Sequence, residues 1–129
     1  MNHSNEYEFL QEIFDRVGNH LLTQNAKSWD RTDISSCRYR GDFGRTCAVG
    51  CLITDENYSG DLEGFAVNAW RVKKAVFDSL PTIVYGKSGP GMLIDFLIKL
   101  QAIHDLSEPS EWREELNDLA ESYNLKSVF

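Results

Sequence analysis

Apolar residues recur at three- and four-residue intervals in four segments of this chain, and this periodicity constrains the fold more than any other feature. The pattern covers about residues 5–25, 66–80, 90–104 and 109–124. Such spacing places the apolar side chains on one face of an α-helix. Because each helix must bury that face against another element, the four helices should pack on each other.

The segment 36–47 has a different pattern. Two short arms flank a turn bounded by Gly41 and Gly44, which is typical of a β-hairpin. The apolar residues 47–53 that follow have a length that fits either a strand or a helix, and we favour a short buried helix because polar residues follow at 55–58. The sequence therefore predicts a mainly α (α+β) fold, with residues 1–129 as a single domain. We expect four to five packed helices, one small β-hairpin near residues 36–47, and a core that contains Phe14, Val17, Leu52, Trp70, Phe77, Phe96, Leu100, Leu116 and Leu119.

The charge of the chain limits which classes of molecule it is expected to bind. There are 13 Lys and Arg residues against 20 Asp and Glu residues, so the net charge is −7. Proteins that bind duplex nucleic acid gain affinity by neutralising phosphates, so duplex binding is not expected. No apolar run is long enough to cross a bilayer, and the first eight residues are too polar for a signal peptide. These features predict a cytoplasmic protein in a reducing compartment.

Three cysteines and one histidine form a candidate metal set: Cys37, Cys47, Cys51 and His104. Three thiolates and an imidazole are a known tetrahedral zinc set. The spacing lacks the paired Cys-x-x-Cys signature, however, and free cysteines are often small buried apolar residues. We therefore predict no cofactor, with zinc as the alternative. The three thiols should cluster in reduced form at the base of the hairpin.

His104 lies on the apolar side of the third predicted helix. We expect it to be buried against the first or second helix, with one ring nitrogen bonded to backbone or to a carboxylate. The neighbouring Asp105 completes a His-Asp pair that resembles an oriented catalytic imidazole. Adjacent residues on a helix point in different directions, so this pair is not expected to act together.

Arginines surround the cysteine segment at Arg38, Arg40 and Arg45. Nearby cations lower the pKa of a thiol, which would favour a nucleophilic cysteine with His104 as its base. Nothing in the sequence marks a cleft or an oxyanion site, so we predict no catalytic residues and no enzyme. The alternative use of these arginines is to contact an anionic ligand such as a phosphorylated signalling nucleotide.

Several motifs resemble a recurring pattern in a family of small uncharacterised phage and bacterial proteins. They are SCRYRG at 36–41, CAVGCLI at 47–53, DENY at 55–58 and LQAIHD at 100–105. With Trp112 and the last helix, the resemblance covers about three-quarters of the chain. It implies a short cytosolic protein that is encoded by a phage and acts in the cytoplasm of the host. No activity is assigned to that family, so the resemblance carries no site residue to this chain.

Two functions follow from these features. The first is a phage-type accessory protein that binds a host or phage protein and inhibits a defence or regulatory system. The acidic charge, the small size and the lack of a recognisable active site favour it. The alternative is a domain that binds a small ligand, such as a signalling nucleotide, or zinc through the cysteine and arginine segment 37–51.

Overall fold

The computed structural model describes residues 6–29, 37–80, 91–127 and 129. Four α-helices lie in these ranges: α1 (Glu6–Gln24), α2 (Trp70–Ser79), α3 (Gly91–Leu106) and α4 (Trp112–Ser122). Short 3-10 turns occur at Asp42–Gly44, Gly50–Leu52, Asp55–Asn57, Gly60–Leu62 and Pro109–Glu111. The prediction of a mainly helical fold is confirmed. No described helix combines the length and apolar character needed to cross a membrane.

The core lies where α1, α3 and α4 pack against one another. Trp112 of α4 is fully buried there, and its indole Nε1–H donates to the carbonyl of Ser107 at 3.1 Å. Burial of one large apolar side chain contributes about 1.5–3 kcal/mol to stability, so Trp112 is one of many side chains that together stabilise the core. Seven predicted core residues are buried, namely Phe14, Val17, Leu52, Phe96, Leu100, Leu116 and Leu119.

The prediction for α2 is wrong at Trp70, whose side chain is 67% exposed. The helix begins at this residue and not near residue 66, and its buried positions are Val72, Ala75 and Val76. Val72 lies two positions after Trp70, which is about 200° of rotation in an α-helix. The indole therefore points away from the core, while Phe77 is only partly buried against it.

The predicted β-hairpin is also wrong. Within the described part of residues 36–47 there is no strand, only one isolated antiparallel bridge between Arg40 and Thr46. The Gly41 N–H donates to the carbonyl of Arg45 at 2.9 Å across this bridge. Ser36, where the hairpin was expected to begin, lies outside the described residues.

The pairing stops because the backbone groups that would extend it have other partners. The N–H of Tyr39 donates to the carboxylate of Glu63 at 2.8 Å instead of to the carbonyl of Cys47. That carbonyl accepts from the N–H of Cys51 at 3.1 Å, which starts a helical turn. An antiparallel pair needs reciprocal bonds between opposite residues, so a single bridge remains.

Candidate functional site

Hydrogen bonds of Thr46 connect the segment that follows Arg40 to α1. His20 lies 3.0 Å from the Thr46 carbonyl through its Nε2 atom. The same nitrogen lies 2.8 Å from the Thr46 hydroxyl, which can donate or accept, so His20 is bonded to Thr46 in either tautomer. The side chain of Gln24 accepts the Thr46 N–H at 3.0 Å and donates to the Thr46 carbonyl at 2.9 Å. These bonds fix the position of Arg45, the residue before Thr46, beside the last turns of α1.

Two neighbouring clefts lie along this contact. One, of about 490 Å³, is lined by residues that include His20, Arg40 and Arg45. The other, of about 680 Å³, shares His20 and Arg45 and adds Arg16 from α1. Both volumes fall in the range of about 300–1,000 Å³ that is usual for small-molecule sites. We call this continuous surface, with Arg16, His20, Arg40 and Arg45, the basic groove.

Arg40 is held in a fixed orientation within the basic groove. Its guanidinium donates to the carbonyl of Ile53 at 3.1 Å and lies 4.4 Å from the centre of the Tyr58 ring. It also forms a salt bridge with Asp55 at 2.8 Å, but the Asp55 side chain is 96% exposed. An ion pair with so exposed a partner is weak, so another anion can compete for Arg40.

Arg45 and Arg16 carry the remaining positive charge of the basic groove. The Arg45 guanidinium stacks on the ring of Phe43 at 5.3 Å. Among the described residues, neither Arg45 nor Arg16 forms a salt bridge. The groove therefore has a local excess of positive charge, although the whole chain has a net charge of −7.

The structure brings together two of the three arginines predicted to bind a ligand. Arg40 and Arg45 line the basic groove, whereas Arg38 is directed toward Glu63, with 3.9 Å between guanidinium and carboxylate. The sequence analysis missed Arg16 and His20. Their four-residue spacing in α1 places them on one helical face and is the signal that could have grouped them.

The predicted metal set of Cys37, Cys47, Cys51 and His104 is not assembled as one cluster. Among the described residues, one group has ligand atoms within 4.8 Å of one another, and it contains Cys37, His104 and Asp105. Cys47 and Cys51 instead cap their own turn. The Cys47 sulfur accepts the N–H of Gly50 at 3.2 Å, and the Cys51 thiol donates to the carbonyl of Ala48 at 3.1 Å.

Both ring nitrogens of His104 form hydrogen bonds within the protein. Its Nε2 accepts the backbone N–H of Ser28 at 2.9 Å, which requires a lone pair on that atom. The proton of the neutral ring is then on Nδ1, which donates to the Asp105 carboxylate at 2.7 Å. A metal ion needs a free lone pair on the imidazole, and this arrangement offers none. We therefore interpret the Cys37, His104 and Asp105 cluster as a structural hydrogen-bonded network.

The prediction for His104 is confirmed in its burial and in its bonds, since the side chain is 0% exposed. The ring that covers it belongs to Trp112 of α4, with 5.5 Å between ring centres, and not to the first or second helix as expected. The expectation that Asp105 would point elsewhere is wrong. Adjacent side chains start about 100° apart on a helix, but the carboxylate folds back to the ring at the end of α3.

Asp105 joins this network to other parts of the chain. Its Oδ1 accepts from Gln101 at 2.9 Å, and the amide oxygen of Gln101 accepts the N–H of Val49 at 2.9 Å. The sulfur of Cys37 lies within 4.8 Å of an Asp105 carboxylate oxygen. The end of α3 thus holds the loop after α1 and the turn at residues 48–52 in place, and these are the segments that flank the basic groove.

The thiols are held in their protonated form. Desolvation by burial, followed by the charge of Asp105, raises the pKa of Cys37 to about 11. Burial raises the pKa of Cys51 to about 12, although Arg16 opposes the shift. The pKa of Cys47 is raised further by burial. Because the thiolate is the nucleophile, these environments disfavour a catalytic cysteine.

Alkylation should be slow in the folded protein. With iodoacetamide at pH 8, we expect each thiol to react at least about tenfold more slowly than in the urea-unfolded chain, because raised pKa values leave less thiolate. Mass spectrometry of timed samples measures the rates at each cysteine. Rapid modification of any one cysteine in the folded state would show that its pKa is not raised.

Comparison with known proteins does not assign a family or a function to this chain. No family model matches the chain, and no curated protein or solved structure matches it either. The arguments for function therefore rest on the residues of the chain itself.

Proposed function

We propose that this protein binds a small phosphate-bearing ligand, of the signalling-nucleotide class, in the basic groove. The observation that carries this proposal is the convergence of Arg16, Arg40 and Arg45 on one surface of an acidic chain. Guanidinium groups form paired, charge-assisted hydrogen bonds with phosphate oxygens. A groove with three of them and one weakly bound carboxylate favours an anion over a neutral or cationic ligand.

The residues of the groove have different roles in this proposal. Arg40 is pre-oriented by Ile53 and Tyr58, so little side-chain entropy is lost when it contacts a phosphate. Arg45 and Arg16 supply charge that no described salt bridge neutralises. His20 is a positioning residue, since its bond to Thr46 places Arg45 at the groove. We propose binding without catalysis, because burial raises the pKa of the nearby Cys51 thiol and leaves little nucleophilic thiolate.

Replacing Arg45 by alanine should weaken ligand binding without unfolding the protein. We expect at least about a tenfold loss of affinity, because a hydrogen bond to a charged group is worth about 1.5–3 kcal/mol. Isothermal titration calorimetry with pyrophosphate, ATP and a cyclic dinucleotide measures the change. The Arg45 guanidinium stacks on the exposed Phe43 ring, whereas Arg40 bonds to the backbone of Ile53, so this variant is less disruptive than replacement of Arg40.

Arg113→Ala is the matched control. Arg113 is exposed on α4 and does not line the basic groove, so its loss removes the same charge elsewhere. The control should bind each probe within about twofold of the unmodified protein. Equal weakening by both substitutions would show a general charge effect. No saturable binding of any of the three probes would contradict the proposed function.

Binding of a host or phage protein, with inhibition of a defence or regulatory system, is the second proposed function. A specific surface favours it: an acidic and partly apolar groove between α3 and α4. This surface is separate from the basic groove and shares none of its lining residues.

A further inference from the structure

A groove of about 440 Å³ lies between the last turns of α3 and the middle of α4. We call it the α3–α4 groove. Its apolar part includes Ile103, Leu106 and Leu119, and the Leu106 side chain is 83% exposed. An exposed leucine is common by itself. Here it continues a concave apolar surface, which is the kind of site that a partner side chain can fill.

The opposite side of the α3–α4 groove is acidic. Glu115 and Asp118 line it, and α4 as a whole carries four acidic side chains against one arginine. One carboxylate oxygen of Glu115, Oε2, is buried from solvent and has no hydrogen-bond partner among the described residues. Buried polar atoms in folded proteins almost always have a partner, and a rotation of the Glu115 side chain toward the groove would let this oxygen accept a donor from a bound molecule.

Lys99 is the cationic side chain that lines this groove, and it is engaged elsewhere. Its ammonium donates to the hydroxyl of Tyr123 at 3.0 Å and lies 4.9 Å from the centre of the Tyr123 ring. No salt bridge joins it to Glu115 or Asp118 in the described part of the chain. The two carboxylates therefore keep their negative charge available for another cation.

We propose that the α3–α4 groove docks a segment of a partner protein that carries a lysine or arginine beside a large apolar side chain. The cationic group would bind Glu115 and Asp118, and the apolar side chain would pack on Leu106 and Ile103. An amphipathic helix presents such a pair at three- or four-residue spacing and fits a groove between two helices. The inference rests on the second proposed function and is independent of the basic groove.

The test uses two short synthetic helical peptides of the same pattern, one of leucine and lysine and one of leucine and glutamate. Fluorescence anisotropy of labelled peptide at physiological salt should give saturable binding for the lysine peptide and at least about tenfold weaker binding for the glutamate peptide. Glu115→Gln should weaken the lysine peptide by about tenfold, since a desolvated charge pair is lost. Leu106→Ser should weaken it severalfold without unfolding, because Leu106 is exposed.

Glu114→Gln is the matched control for charge. Glu114 is an exposed neighbour outside the groove, and its replacement removes the same unit of charge. It should change peptide affinity by less than about twofold, because exposed charges are screened at physiological salt. Equal effects of Glu114→Gln and Glu115→Gln, or no effect of Leu106→Ser, would overturn the proposal.

Two further measurements separate this inference from its alternatives. Arg45→Ala should leave peptide affinity unchanged. The proposal for the basic groove is therefore tested by nucleotide binding alone, and the proposal for the α3–α4 groove by peptide binding alone. Sedimentation velocity of the protein alone identifies self-association. A dimer that Leu106→Ser dissociates would show that the groove is covered by a second copy of the chain, and would overturn the assignment to a partner protein.

Discussion

Replacing Glu63 by alanine should lower the free energy of unfolding by about 3 kcal/mol, because two backbone N–H groups lose their acceptor. The carboxylate accepts the N–H of Tyr39 at 2.8 Å and the N–H of Arg40 at 3.1 Å, and its side chain is only 11% exposed. It also accepts the hydroxyl of Tyr58 at 2.6 Å. Urea unfolding followed by circular dichroism measures the loss.

Two other substitutions identify the cause of this loss. Glu63→Gln keeps one oxygen acceptor but turns an amide N–H toward the same donors, so about half of the loss should remain. Glu56→Ala removes an exposed carboxylate nearby and should change stability by less than about 0.5 kcal/mol. If Glu63→Ala were as mild as Glu56→Ala, then Glu63 would not be what holds residues 39 and 40.

The same glutamate explains why the helices could be predicted from the sequence and the hairpin could not. The periodicity of α1, α3 and α4 reports local geometry, since residues three and four apart share a face in any helix. The backbone at Tyr39 depends instead on Glu63, a residue 24 positions later in the chain. No local pattern shows that a side chain so distant will take the N–H that strand pairing requires.

Trp70 shows a second limit of the periodic pattern. The periodic pattern placed Trp70 and Phe77, seven positions apart, on one inward face of α2. The actual helix begins at Trp70, and its buried stripe contains Val72, Ala75 and Val76. These smaller side chains fit closer to neighbouring elements, so packing and not the size of the apolar residue decides which face is buried.

The basic groove was predicted only in part, for a related reason. Arg40 and Arg45 are close in sequence, so their grouping followed from the local pattern. Arg16 and His20 join them because the bonds of Thr46 to α1 bring two distant segments together. The predicted cluster of three cysteines is wrong because Cys37 lies beside His104 and Asp105, whereas the sulfurs of Cys47 and Cys51 bond within their own turn.

Replacing His104 should cost more stability than replacing Glu63. His104→Ala should lower the free energy of unfolding by about 4 kcal/mol, since it leaves a cavity beneath Trp112 and removes the acceptor of the Ser28 N–H. The ring is fully buried and its Nδ1 also donates to Asp105 at 2.7 Å. Urea unfolding measures the loss, with His20→Ala as the matched control.

The control compares the loss of stability when a half-buried histidine is replaced with the loss when a buried one is replaced. His20 bonds to Thr46 at the edge of the basic groove, so its replacement should cost about 1 kcal/mol, the net value of an ordinary hydrogen bond. Repeating both measurements with and without EDTA separates the structural network from a zinc site. In the network, the loss for His104→Ala is the same in either buffer. If EDTA alone destabilised the unmodified protein and abolished the difference between it and His104→Ala, then Cys37, His104 and Asp105 would be metal ligands, and the tautomer assigned to His104 would be wrong.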